Sequence, residues 1–167
     1  MSSEGNAKAY IEYKAKRAAE VEIILQAKKE LSKYQKAKRD INNMRERIMH
    51  LEARINAVVR SPREIDVQST ADPKSIENMM NNAADLRTEY GKLIIKAEAT
   101  CEYIERLINH ADGLPGQMLY MRYVIGQGID TLAHDHLYCR RQVYKLLDIG
   151  LLQVGKRVHT SAHLDMI

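Results

Sequence analysis

Residues 7–59 contain neither glycine nor proline, so the first third of the chain reads as one uninterrupted helix. Such a helix, about 50 residues and roughly 75 Å long, exceeds what a small core can cover and therefore requires a partner. Ile41, Met44, Ile48, Leu51, Ile55 and Val58 recur in alternating steps of three and four, the spacing of a coiled-coil seam. Upstream, Ile24, Ala27, Leu31, Tyr34 and Ala37 keep helical spacing while drifting in register.

A second arm comes next. Residues 60–71 (RSPREIDVQSTA) are polar, contain Pro62 and lack periodicity, which predicts a loop. Asp72 before Pro73 is an N-cap followed by proline at the first helical position. Ile76, Met79, Ala83, Leu86, Tyr90, Leu93, Ala97, Ile104 and Leu107 then mark an apolar stripe. Gly91 interrupts it at about 1 kcal/mol relative to alanine, and the helix is expected to end near Ala111, before Gly113 and Pro115.

Charge supports pairing of the arms. Residues 1–60 carry a net +6, residues 61–116 a net −4 and residues 117–167 a net +2. A basic helix followed by an acidic one suggests an antiparallel hairpin. The first helix outruns the second, which leaves an unpaired N-terminal portion. Pairing of the first helix with another copy is the alternative, and a hairpin that also dimerises joins the two readings.

Other function classes find little support. Phe and Trp are absent, so a large globular core is not expected. Cys101 and Cys139 lack CxxC spacing, which suits a reducing cytoplasm and argues against a structural zinc or a disulfide framework. No apolar leader or membrane-spanning run is present, so a soluble protein with no membrane partner is expected. His134, Asp135 and His136 cluster in sequence, but residues two apart on a helix face different sides. His159 and His163 are four apart, without a convincing third ligand. No nucleophile elbow, Walker or Rossmann pattern occurs, and GQG at 126–128 reads as a turn. Neither catalysis nor a cofactor is expected. The basic run from Lys28 to Arg39 could bind nucleic acid, but it spreads around the helix with interleaved apolar positions, so a solvated coiled-coil face is the favoured reading.

The last third has a different character. Met118, Leu119, Met121 and Val124 form one short apolar face, broken by Gly126 and Gly128. Ile129, Leu132 and Ala133 form a second, followed by a turn at 136–138 and a helix capped at Cys139 that is expected to end near Gly150. Val143, Leu146 and Leu147 lie on one side of this last helix, opposite Arg140, Arg141, Gln142, Tyr144 and Lys145. An amphipathic helix with that polar inventory suits the DNA major groove. The plainer alternative is a solvated helix face.

Arg122, Tyr123, Gly126, Leu132 and Ala133, followed by Tyr138, Arg141, Val143 and Tyr144, resemble region 4 of the sigma-70 family. More closely, they resemble phage regulators with a sigma-like C-terminal domain, the late-operon activators of the RinA and ArpU type. The resemblance covers roughly residues 60–154. It departs from the pattern at Cys139, where serine is usual, and at His136 and Leu137, where a left-handed turn would strain leucine. The resemblance implies a phage or prophage protein that binds a promoter in double-stranded DNA and activates transcription in the host bacterial cytoplasm. Self-association is expected from the long helices, and direct contact with RNA polymerase stays open.

The expected architecture is therefore all-α. A two-helix coiled-coil arm over 1–111 precedes a helix-turn-helix module over 112–155 and a tail over 156–167. Within the module, Arg140 and Arg141 would reach guanine edges or phosphates and Gln142 an adenine. Lys145 would reach phosphate, and Tyr144 would pack on the sugar-phosphate backbone. A small terminase subunit also joins long helices to a helix-turn-helix, though usually with the DNA-binding part first. A coiled-coil protein-interaction scaffold is the rival from another class.

Overall fold

The computed structural model describes residues 3–60 and 73–164, with side chains over 9–57, at 74 and over 77–158. The expected loop at 60–71 and the Asp72 cap fall almost wholly outside the described residues, as do the side chains of His159 and His163. All regular structure in the described residues is helical. Helix α1 spans Ser3–Arg60 and α2 spans Pro73–Ile108. Then come α3 (Gly113–Leu119), a π-helical turn (Tyr120–Ile125), α4 (Ile129–Asp135) and α5 (Arg140–Leu164). No described helix is long and apolar enough to cross a membrane.

The described chain divides into two compact units, one of residues 36–100 and one of residues 1–35 with 101–167. In the first, α1 and α2 run antiparallel. Arg45 pairs with Glu98 at 2.8 Å and Glu52 with Arg87 at 3.3 Å, so α2 numbers fall as α1 numbers rise. The Arg47 guanidinium lies 5.8 Å from the centre of the Tyr90 ring. The predicted heptad seam faces inward: Ile41 is buried, and Met44, Ile48, Leu51 and Ile55 are half-buried. Arg45–Glu98 has the basic-on-acidic sense read from charge, whereas Glu52–Arg87 runs the other way, with the carboxylate on α1.

The second unit holds the larger core. Ala27, Leu31 and Tyr34 of α1 join Ile104, Leu107 and Ile108 of α2 in one cluster with Met118, Leu119, Val124, Leu132, Val143, Leu147, Leu151 and Val154. Two glycines of α5 let that helix approach its neighbours closely. A Cβ at Gly155 would fall on Ile23 Cγ2 and lie 2.9 Å from the Ile23 carbonyl oxygen, and one at Gly150 would lie 2.9 Å from Leu119 Cδ1. Gly150 is therefore a packing position rather than a terminator, and α5 continues to Leu164. Residues 9–19 of α1 are exposed on every side.

Candidate nucleic-acid interface

The site begins at the π-helical turn. The Met121 carbonyl accepts from the amides of Gly126 and Gln127, both at 3.0 Å, and Gly126 takes φ 89° to close the turn. Three side-chain hydrogen bonds brace its end. Gln35 of α1 donates Nε2 to the carbonyls of Tyr123 (2.9 Å) and Val124 (3.0 Å), and Arg122 donates to the Gln127 carbonyl at 2.7 Å. Carbonyls at a helix end otherwise lack partners. Burial pushes the Tyr123 phenol up despite the neighbouring Arg122.

Helix α4 ends in a Schellman turn. The Tyr138 amide donates to the Ala133 carbonyl at 2.9 Å and the Leu137 amide to the His134 carbonyl at 3.2 Å. The residue in the left-handed position is Leu137, at φ 55° and 93 % exposed. The strain expected there from the sequence is present. His134 and His136 have different partners: His134 Nδ1 lies 3.3 Å from Asp135, whereas His136 Nε2 lies 3.2 Å from Met121 Sδ.

Helix α5 opens with half of a capping box. The Cys139 carbonyl accepts from the Gln142 amide at 2.9 Å, and Gln142 Oε1 accepts from the Cys139 amide at 3.0 Å. The run C-R-R-Q is the S/T-x-x-Q capping pattern with cysteine in place of serine. This cap engages the amide oxygen that a two-point adenine contact would use.

The five residues singled out in the sequence are all exposed on the first two turns of α5. Val143 is fully buried and Leu147 nearly so. By helical spacing, Arg141 and Lys145 lie opposite that buried side, with Gln142 on one flank and Arg140 and Tyr144 on the other. Asp148 and Ile149, also exposed, interrupt the basic surface after the helix start, and exposed Lys156 and Arg157 follow two turns later. Tyr144 borders a cleft of about 330 Å³ with Lys28, Ser32, Arg122 and Asp148 above Ile129, Leu147 and Leu151.

Arg140 differs from the others. Its Nε lies 2.5 Å from Asp130 Oδ1, so the first turn of α4 holds the first residue of α5. Neither Asp130 nor Gln35 was singled out from the sequence. Both act through a partner remote in sequence or across a turn, and single-residue patterns do not report such pairs. The capping role of Gln142, by contrast, is legible from its spacing. No protein-family model, curated protein or solved structure matches the chain.

Proposed function

We propose that this chain is a sequence-specific DNA-binding regulator of transcription whose α4–turn–α5 segment acts as a helix-turn-helix, with the start of α5 entering the major groove. The observation that carries the reading is the division of α5. Val143 and Leu147 are buried in the core while Arg141 and Lys145 stand opposite, exposed, on a helix whose start is fixed by the cap and the Schellman turn. A rigid, exposed, cationic helix start can be placed against base edges without first being ordered.

In this reading Arg141 contacts a base edge, Lys145 a phosphate and Tyr144 the backbone, while Gln142 mainly secures the helix start. The sequence resemblance extends the proposal to a phage-type late activator in the host cytoplasm. Self-association belongs to the same reading, because Tyr10, Ile11 and Tyr13 are exposed on residues 9–19 of α1, a stretch exposed on every side among the described residues. An isolated helical segment of that length is marginal in water.

The test is capture of fragments of the source genome by the full chain, followed by affinity measurements on the enriched duplex. Arg141→Ala should weaken specific binding by about 1–3 kcal/mol. Lys145→Ala should weaken all duplexes alike and lower the slope of affinity against salt by about one. Absence of any enriched fragment, or unchanged affinity in both variants, would remove the assignment.

A further inference from the structure

Within this DNA-binding reading, on which the inference rests, we infer that Arg140 reads a guanine and that Asp130 is the positioning residue that aims it. The geometry assigns the two roles. Asp130 Oδ1 lies 2.5 Å from Nε of Arg140, the nitrogen on the stem side of the guanidinium. The two Nη groups at the far end are thus left as a planar fork, the donor pair that matches O6 and N7 of guanine.

The ion pair spans the turn, from the first turn of α4 to the first residue of α5. It therefore fixes the long arginine side chain relative to two helices rather than one. Both side chains are 71 % exposed, so the pair is open to solvent.

A simpler role for Asp130 is charge compensation. A helix N-terminus disfavours cations, α5 begins with two arginines, and its first turn holds no acidic residue. The two roles predict different binding behaviour. Charge compensation alone changes stability and overall affinity for polyanions, whereas positioning changes which base is preferred at one place in the site.

The experiment selects duplexes from a random-sequence DNA library with the full chain and with the Asp130→Ala, Asp130→Asn, Arg140→Ala and double Ala variants. Wild-type protein should enrich a guanine whose preference Arg140→Ala abolishes. Asp130→Ala should reduce the preference at that same position by roughly tenfold, within the range a two-point guanine contact supplies, while raising affinity for unrelated duplexes. Asp130→Asn retains an acceptor oxygen and should keep part of the preference. The double variant should discriminate no worse than Arg140→Ala. Matching thermal unfolding of the variants would establish that the fold is intact.

If the wild-type chain forms no duplex complex, the DNA reading fails and this inference with it. If wild type selects a motif and Asp130→Ala selects the same one with undiminished preference, the inference alone is overturned.

Discussion

The two compact units bury their apolar residues in different ways. Residues 36–100 seal a two-helix seam with few buried side chains, Ala37, Ile41 and Ala83, and leave Leu86, Leu93 and Ile95 exposed. Register there is marked by ion pairs and by the Arg47–Tyr90 contact. Residues 1–35 with 101–167 instead enclose Leu31, Ile104, Met118, Leu119, Leu132, Val143 and Val154 almost completely. A seam between two helices tolerates sliding and substitution, whereas an enclosed core of interlocking side chains does not. The candidate interface is built on the second kind of packing, which suits a surface whose side chains must be held in place.

The strongest way to break this contrast is truncation of an enclosed residue. Leu132→Ala should cost about 3 kcal/mol, against about 1 kcal/mol for the half-buried Ile48→Ala, read from urea unfolding of each variant. Equal costs would show that the two kinds of packing are energetically alike. A glycine pair sharpens the same point with opposite signs. Gly155→Ala drives a methyl into Ile23 and should destabilise by about 2 kcal/mol. Gly91→Ala meets nothing within 4 Å and should stabilise α2 by up to about 1 kcal/mol.

Smaller effects probe the turn and the buried phenol. Leu137→Gly removes an exposed side chain from a left-handed backbone and should raise stability by about 1 kcal/mol, seen as a higher Tm. Tyr34 gives a pH signature. Burial, and then donation of its hydroxyl to Glu105 at 2.6 Å, hold the phenol above its ordinary value of 10.0. The neutral form is thus favoured by folding. Its contribution is fully present below pH 10 and is lost as pH rises further, because the unfolded chain releases a proton that the folded chain keeps. Urea midpoints between about pH 9 and pH 11 should fall less steeply in Tyr34→Phe.

Much of the helical framework was legible because it rests on periodicity. The seams through Ile24 to Ala37 and Ile41 to Ile55 face inward as spaced, and α2 begins at Pro73 as its cap signature indicates. Its end, read at Ala111, comes at Ile108. Gly150 misled more, since the same residue type serves as a helix stop or as a close-approach position, and only the neighbour decides which. Here Leu119 and the Pro115 carbonyl decide for close approach. The π-helical turn at 120–125 leaves no pattern in the residues, because its extra residue is accommodated by bonds from Gln35 and by Gly126. In the candidate site, the exposed face of α5 followed from spacing, and the Asp130–Arg140 pairing did not.

The double donation by Gln35 has a spectroscopic consequence. Its side-chain amide hydrogens are directed at two backbone carbonyls in a half-buried setting, so they should exchange with solvent more slowly than those of exposed glutamines. Because that amide belongs to α1 while its acceptors lie at the end of the turn leading into α4, its NMR signal is a built-in gauge. It reports in one resonance whether the support beneath the candidate interface is assembled.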